Sequence, residues 1–296
     1  MSFEQIIGNE NNKKILTNIE NPSHAYLFIG PEGIGKFLFA KEFAKKLLCE
    51  KQEESPCEEC KSCMQFNSNN HTDFNVIEPE ENSIKIEQIR PIIEKVLEKP
   101  IVSKRKIYII NDADKMTNQA QNCLLKVLEE PPQYAIIILI GAEEHSFLNT
   151  IRSRCIKIKF EKIQEQILKQ YLQEYQGFGE ISSNILKIYD GSIKKALELK
   201  GKEEAYLKLD EFFNNIEQNS KIDCLKIATY LQEEKQDIKN KLEYINILLY
   251  KLGITNIKYL RCIEKVNKTI SKQKLNCNQE MILDVLLLEI WEEINT

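Results

Sequence analysis

The chemistry-bearing residues of this chain begin with a glycine-rich turn that ends in a lysine. The segment GPEGIGK fits the pattern G-x-x-x-x-G-K and lies between a strand-like run and a helix-like run, His24–Ile29 and Leu38–Leu48. Glycines let backbone amides curl around phosphates, the start of the next helix favours an anion, and the lysine neutralises the outer phosphates. A tight glycine turn with a surface lysine is the alternative. The segment predicts a nucleotide phosphate site formed by Gly30, Gly33, Gly35 and Lys36.

The same loop lacks the groups that hold magnesium. Phe37 follows the lysine, where Ser or Thr supplies a hydroxyl to Mg²⁺ in nucleotide-hydrolysing proteins. At the end of a later predicted strand, Asn111 takes the place of the metal-associated Asp, and Asp112 that of the Glu that polarises water. An amide holds Mg²⁺ more weakly than a carboxylate. These departures disfavour Mg²⁺ binding and hydrolysis and leave ATP or ADP binding open. In a shifted register, Asp112 is instead the metal carboxylate.

A second group consists of four cysteines with the spacing C-x7-C-x2-C-x2-C. Four thiolates suit tetrahedral Zn²⁺ at about 2.3 Å and leave no open coordination position for catalysis. The spacing predicts a structural zinc site at Cys49, Cys57, Cys60 and Cys63. An iron–sulfur cluster and unrelated reduced thiols are the alternatives. Four acidic residues around the site make it a poor contact for nucleic acid: Glu53, Glu54, Glu58 and Glu59.

Other polar residues carry weaker signals. Arg154, in the triplet SRC, is on the sequence alone a solvated loop residue. Glu129 and Glu130 lie at the end of a predicted helix, where acidic side chains mildly oppose the macrodipole. No Ser-His-Asp arrangement can be placed, and the three histidines show no metal-ligand spacing: His24, His71 and His145.

Composition bounds the class of protein. Apolar residues make up 42% of the 296 residues, which excludes a disordered chain, and a net charge of −4 argues against a surface that coats DNA. No apolar run approaches the roughly 20 residues that a membrane helix needs. The start of the chain lacks a secretory pattern, so we expect a cytoplasmic protein with reduced thiols. The scattered cysteines are expected to be small buried hydrophobes: Cys123, Cys155, Cys224, Cys262 and Cys277.

The pattern of apolar residues changes along the chain. Up to about residue 160, apolar runs typical of strands alternate with helical periodicity, which predicts a parallel sheet covered by helices on both faces. Thr117 is the predicted N-cap of a helix that Pro131 and Pro132 stop, and Pro91 lies in or near the first turn of another helix or kinks it. From about residue 161 onward the periodicity is helical throughout. The five predicted strands are His24–Ile29, Phe74–Ile77, Lys106–Ile110, Ala135–Gly141 and Ile156–Phe160.

The motifs in this order resemble the bacterial clamp-loader subunits, AAA+ proteins of the DNA polymerase III holoenzyme. The resemblance rests on the phosphate loop, the four-cysteine insertion, the segment LLKVLEEPP and the SRC triplet, and extends faintly to Asn276-x-Asn278 and the last helix. Of the two similar branches, gamma/tau and delta-prime, the residues Phe37 and Asn111 favour delta-prime, as does a chain that ends without a tau-like extension. The resemblance implies an α/β AAA+ core (1–160), a small helical lid (161–205) and an all-α collar (206–296).

The resemblance also implies roles. Arg154 is similar to the family's arginine finger, which points at the γ-phosphate bound by a neighbouring gamma/tau subunit. Lys194 takes the place of the second-sensor arginine and keeps its charge without its planar fork. The implied partners are gamma/tau and delta subunits in a hetero-pentamer that places a sliding clamp on primer-template DNA. The chain is then expected to lack ATPase activity of its own while belonging to the polymerase holoenzyme.

Two other functions stay open on the sequence. One is an autonomous ATPase of the gamma/tau kind that tolerates Phe37. The other is a free-standing zinc module that binds nucleic acid, which would show a steep dependence of affinity on salt. The net charge of −4 disfavours this module.

Overall fold

The computed structural model describes residues 3–51, 55–232, 238–254, 256–272 and 279–295. Some residues that the sequence analysis uses lie outside these ranges: Glu53, Glu54, Asn276, Cys277 and Asn278.

Five strands form one sheet: β1 (Ala25–Ile29), β2 (Phe74–Ile77), β3 (Lys106–Ile110), β4 (Ala135–Gly141) and β5 (Ile156–Lys159). They pair in the order β2-β3-β4-β1-β5, and each pair is parallel. Every predicted strand is present. The fifth ends at Lys159 instead of Phe160, although the Phe160 backbone N–H still donates to the Ile29 carbonyl at 2.7 Å.

The described residues form fourteen α-helices. Six lie between or beside the strands: α1 (Glu10–Thr17), α2 (Lys36–Leu48), α3 (Lys61–Asn67), α4 (Ile86–Val96), α5 (Asn118–Glu129) and α6 (Asn149–Arg152). Eight follow the sheet: α7 (Glu165–Tyr175), α8 (Ser183–Tyr189), α9 (Ile193–Glu198), α10 (Glu203–Asn214), α11 (Lys221–Gln232), α12 (Ile238–Gly253), α13 (Ile257–Lys272) and α14 (Gln279–Asn295).

Local sequence signals define both ends of α5. The Thr117 Oγ1 accepts a hydrogen bond from the Ala120 backbone N–H at 3.2 Å, which satisfies a free amide at the helix start. The helix ends at Glu129, just before the two prolines at 131 and 132. Pro91 lies inside α4, past its first turn.

Helices cover both faces of the sheet, as predicted. In β1, Leu27 packs in one cluster with side chains of α4 and α5, while Phe28 packs in another with side chains of α2. Both side chains are fully buried, and burying one such side chain contributes about 1.5–3 kcal/mol relative to exposure. The sheet therefore holds the loops at its edges on a rigid support.

The chain divides into two compact units. The N-terminal unit comprises Met1–Leu168 and Gly191–Lys194, and the helical unit comprises Lys169–Asp190 and Lys195–Thr296. The described part of the helical unit contains helices and no strand, as predicted. The finer division at residues 160 and 205 stays a prediction.

Within the helical unit, α11 packs on α14 and α12 packs on α13. The Trp291 indole N–H donates to the Asn219 carbonyl at 2.6 Å, which ties the last helix to the loop before α11. Among the described residues, no helix is long and apolar enough to cross a membrane.

The scattered cysteines lie where apolar side chains lie. Cys155, Cys224 and Cys262 are buried, as predicted, while Cys123 is half-buried. Burial raises the pKa of the Cys155 thiol to about 12, so this thiol stays protonated and packs as an apolar group.

Candidate functional site

The candidate nucleotide loop lies at the carboxyl edge of the sheet. It follows β1 directly, and Ile29 at the end of β1 pairs with Gly141 at the end of β4. Because all strands are parallel, the residues after β3 and β4 reach the same edge. The fold thus brings the loop and the segment from Asn111 to Asp114 together, as the motifs require.

Two glycines of the loop have conformations that other residues rarely adopt. Gly33 has φ +74° and Gly35, which precedes α2, has φ +94°. A Cβ at Gly33 would overlap the Ser192 Oγ and would lie 2.7 Å from the Lys194 Cβ. The loop is therefore shaped by glycine and is tightly covered by the segment around Ser192.

That cover is hydrogen-bonded. The Gly33 carbonyl accepts from the backbone N–H groups of Ile193 and Lys194, at 3.0 Å and 3.3 Å. The segment Gly191–Lys194 belongs to the N-terminal unit although the residues on both sides of it belong to the helical unit. The backbone of Lys194 therefore lies on the loop, and its side chain is exposed.

The lysine of the loop is turned onto the loop itself. Lys36 is only 7% exposed, and its ammonium donates to the carbonyls of Gly30 and Pro31 at 2.5 Å and 2.6 Å. Burial lowers the pKa of Lys36, and the negative charges of Asp114, Glu32 and Asp112 offset part of that decrease. The cation that would neutralise a phosphate is engaged with neutral carbonyls.

Phe37 is half-buried and packs against the core cluster under α2. The Lys41 ammonium lies 5.9 Å from the centre of its ring. This position therefore contributes apolar packing beside the loop and offers no oxygen ligand to a metal ion.

The residues after β3 are engaged with their neighbours. The Asn111 amide donates to the Glu78 carboxylate at 3.5 Å, and Asp112 forms an ion pair with Lys115 at 2.9 Å. Asp112 has φ +47°, a left-handed conformation. Asp114 is one of the three acidic residues that raise the pKa of Lys36, and the sequence motifs did not indicate it.

Asp114 joins two strand ends at this edge. Its Oδ2 accepts a hydrogen bond from the Ala142 backbone N–H, just after β4, at 3.1 Å. A sequence signal for it exists, since the acid lies four residues beyond the end of β3, but only the parallel sheet puts it next to β4.

Arg154 lies at a different place, beyond α6. Its Nη1 donates to the Thr150 carbonyl at 3.0 Å, and its Nη2 lies 3.0 Å from the Glu129 Oε1. The side chain is 34% exposed. Arg154 is therefore anchored at one edge of its guanidinium and accessible at the rest.

The four cysteines are brought together, as their spacing predicts. Their sulfur atoms all lie within 4.8 Å of one another. Four sulfurs at zinc-bond length around one ion are about 3.8 Å apart, so a small contraction seats the metal. The described cysteines form no disulfide. The donor set and its compactness fit Zn²⁺.

Backbone amides prepare these sulfurs for the thiolate form. The backbone N–H groups of Cys57, Cys60 and Cys63 donate to the sulfurs of Cys49, Cys57 and Cys60, respectively, each at 3.4 Å. Hydrogen bonds from the backbone of Glu59 and Cys60 lower the pKa of Cys57 to about 7. Burial raises the pKa of Cys63, a cost that a bound cation would remove.

Behind the cysteines lies a buried polar network that the sequence analysis missed. The Ser62 hydroxyl donates to the Leu48 carbonyl at 2.7 Å and lies 2.9 Å from the His71 Nε2. The His71 Nδ1 accepts from the Asp73 backbone N–H at 3.1 Å, so Nε2 carries the proton of the neutral ring. Because Leu48 and Ser62 directly precede Cys49 and Cys63, the network supports two of the cysteines.

The fold and the site define the class as a parallel α/β protein with a glycine-rich loop of the phosphate-binding pattern after its first strand, followed by helices. This is the class that the AAA+ resemblance implies, and the prediction of the fold class is confirmed. A family model described as "DNA polymerase III, delta subunit" matches residues 9–164, just over half of the chain. This chain belongs to that family.

Curated relatives agree with this assignment. The DNA polymerase III subunit delta' of Bacillus subtilis is 36% identical over 182 residues, which cover 62% of this chain and 55% of the relative. The subunit tau of the same organism is 37% identical over 210 residues, which cover 67% of this chain and 37% of the relative. The chain thus spans about half of the delta' relative and less of tau.

A solved structure aligns over most of the chain. A DNA polymerase III gamma subunit-related protein from Thermotoga maritima is 20% identical, with a TM-score of 0.49, and the alignment covers 96% of this chain and 98% of that chain.

Proposed function

We propose that this chain is a delta-prime-like component of a DNA polymerase III clamp loader, silent at its own nucleotide loop and active through Arg154 at a neighbour's. The observation that carries the proposal is the contrast between Lys36, whose ammonium is bonded to carbonyls of its own loop, and Arg154, whose guanidinium is 34% exposed. A family model described as a DNA polymerase III delta subunit and the delta' relative support the same role.

The silent loop follows from missing ligands. Hydrolysis needs Mg²⁺ bridging the phosphates, held by a hydroxyl after the lysine and by a strand-end carboxylate. Phe37 packs against the core instead, and Asn111 provides an amide bonded to Glu78. Nucleotide binding also requires Lys36 to leave both of its carbonyl partners, which costs the chain two charge-assisted hydrogen bonds.

The active arginine works on another subunit's nucleotide. A guanidinium stabilises the charge that spreads over the transferring phosphoryl group, an effect worth roughly 10³–10⁵ in rate where it has been measured. The neighbour is a gamma/tau subunit, and with delta the subunits form a hetero-pentameric ring in the cytoplasm. The ring places a sliding clamp on primer-template DNA. In it, residues 161–205 act as the lid, with Lys194 at the second-sensor position, and residues 206–296 as the collar.

The four cysteines hold one structural Zn²⁺ in this proposal. Their sulfurs lie within 4.8 Å of one another, and all four ligands come from protein, which leaves no position for a reacting water. The zinc joins the end of α2 to the start of α3.

Hydrolysis by the purified chain, alone and then mixed with its gamma/tau and delta partners, tests the proposal. Alone with Mg·ATP, we expect turnover below about 0.1 s⁻¹, well under ordinary enzymatic rates. With partners, we expect a stable complex whose DNA-stimulated ATPase needs this chain. Faster turnover by the lone chain, abolished by Lys36→Ala, would overturn the silent loop.

A second candidate function is a catalytically active gamma/tau-like ATPase. The match to tau, 37% identical over 210 residues, favours it. The same assay separates the two, because only this candidate hydrolyses ATP without partners and loses that activity with Lys36→Ala.

Metal analysis tests the zinc site. We expect about one zinc ion per chain, lost in Cys60→Ser because three thiolates hold the ion less tightly than four. Cys123→Ser, a half-buried cysteine outside the cluster, is the matched control and should keep the metal. A coloured, iron-containing protein would contradict the assignment.

A further inference from the structure

The ion pair between Arg154 and Glu129 joins two elements that the sequence keeps 25 residues apart. Glu129 is the last residue of α5, and Arg154 follows α6. The Arg154 Nη2 donates to the Glu129 Oε1 at 3.0 Å, within ordinary hydrogen-bond distance. The carboxylate belongs to the segment LLKVLEEPP, for which the proposed function has no role yet.

The position of this carboxylate is unfavourable for α5 by itself. The last turn of a helix carries partial negative charge from free carbonyls, so an acidic side chain there is repelled. The Glu129 side chain is 51% exposed, and an exposed ion pair adds little to folding stability. Folding stability therefore gives little reason for an acid at this place.

The contacts of Arg154 leave part of its guanidinium available. One terminal nitrogen donates to the Thr150 carbonyl and the other to Glu129. Each terminal nitrogen carries two hydrogens, so one N–H of each has no partner among these two contacts. Two anchors fix the plane of the group, and the second N–H of each nitrogen stays available to a phosphate.

We propose that Glu129 is a positioning residue for Arg154: it holds the guanidinium in the orientation in which it meets the phosphate bound by the adjacent subunit. This inference rests on the proposed function of Arg154. Glu129 touches neither nucleotide nor Mg²⁺ and acts only through the arginine. A carboxylate anchor suits this task because its pairing with a guanidinium is directional, whereas a carbonyl alone leaves the side chain free to rotate about one contact.

The experiment measures DNA-stimulated ATPase of the reconstituted loader containing Glu129→Gln, Arg154→Ala or both substitutions. At the nucleotide site that Arg154 completes, followed by single-turnover phosphate release, we expect Glu129→Gln to lower kcat about ten-fold with little change in KM for ATP, because a misplaced catalytic group slows the reaction and not the binding. In the Arg154→Ala background, the same substitution should have no further effect, since there is no arginine left to position.

Glu130→Gln is the matched control. It removes the same charge one residue further along, from an exposed side chain, and should leave kcat unchanged. Elution of every variant with its partners, and unchanged thermal unfolding, show that assembly and folding are intact.

The outcomes separate the two proposals. If Arg154→Ala lowers kcat while Glu129→Gln behaves like the unaltered chain, the positioning role is wrong and the arginine role stands. If Arg154→Ala has no effect, the proposed function of the arginine fails and the role of Glu129 falls with it. An increase in kcat with Glu129→Gln, or equal losses from Glu129→Gln and Glu130→Gln, would also contradict positioning.

Discussion

Lys36 and Arg154 are cationic side chains of one fold with opposite surroundings. Lys36 is 7% exposed and its ammonium is satisfied by two carbonyls of its own loop. Arg154 is 34% exposed and its guanidinium is held from one side by Glu129 and Thr150. The difference teaches that the cation of the glycine-rich motif is engaged within its own loop, whereas the more exposed of the two cations lies outside the motif.

The environment explains the difference. Burial removes hydration from the Lys36 ammonium, whose hydrogen-bond partners are neutral carbonyls. The carboxylates of Asp114, Glu32 and Asp112 offset only part of the resulting decrease in its pKa. A guanidinium keeps its charge at any ordinary pH and has five N–H donors. It can therefore donate to fixed partners and still bind a further anion.

The largest expected effect concerns the arginine half of this comparison. Arg154→Ala should lower the rate at the nucleotide site that it completes by at least about 10³-fold, the lower end of measured arginine-finger effects. In the whole loader, where other sites keep their own arginines, DNA-stimulated phosphate release falls by less. Single-turnover phosphate release measures the loss.

Arg152→Ala is the matched control for that prediction. Arg152 lies two residues away and pairs with Glu144 at 3.8 Å. Equal rates for the two arginine variants would contradict a specific role for Arg154. A rate for Arg154→Ala equal to that of the unaltered loader would contradict it as well, and with it the contrast between Arg154 and Lys36.

The next effect concerns the cover over the loop. Gly33→Ala should lower the free energy of unfolding by about 1–3 kcal/mol, because alanine is strained at φ +74° and its Cβ overlaps Ser192. Urea denaturation measures it. Gly179→Ala is the control, since Gly179 has no atom within 4 Å of an added Cβ and no positive φ. Similar stability of both variants would show that Ser192 does not cover the loop.

The smallest expected effect concerns Lys36. Lys36→Met should change the free energy of unfolding by no more than about 1 kcal/mol, because relief of the desolvated charge offsets the loss of the two hydrogen bonds to the Gly30 and Pro31 carbonyls. It should also leave the ATPase of the reconstituted loader unchanged. A large loss of loader ATPase, absent from the control Lys41→Met, would show that the loop is not silent.

The pH dependence of stability sharpens the same point. The folded-state pKa of Lys36 lies below its ordinary value of 10.5. Between these two pKa values the unfolded chain binds more protons, so this lysine makes stability rise with pH. As pH rises through the range just below 10.5, the unaltered chain should therefore gain stability relative to Lys36→Met. A constant difference across this range would contradict a depressed pKa.

Much of the fold was predictable from the sequence. Runs such as Ala135–Gly141 are apolar at every position, because a parallel strand is buried on both faces. The cap at Thr117 and the stop at the two prolines are local chemistry and are confirmed. The clustering of the four sulfurs was also predictable, because their spacing confines the four cysteines to a short segment of the chain.

Contacts between distant segments were not predictable. Asp114 reaches Ala142 only because β3 and β4 are neighbours in a parallel sheet. His71 shows no pattern in the sequence, yet it is buried beside Ser62, and burial lowers its pKa. Such partners are chosen by packing, which a single sequence does not encode in its local spacing.

The sequence by itself determined which chemical groups this protein has: four clustered thiols, a glycine loop with its lysine, and a phenylalanine where magnesium needs an oxygen. These are properties of residue type and of neighbours along the chain. Only the tertiary structure decided that Lys36 turns inward and that Glu129 holds Arg154 from across the fold. The physical reason is that burial and pairing depend on which surfaces pack together. Burial and pairing in turn decide whether a cationic side chain can still bind an anion.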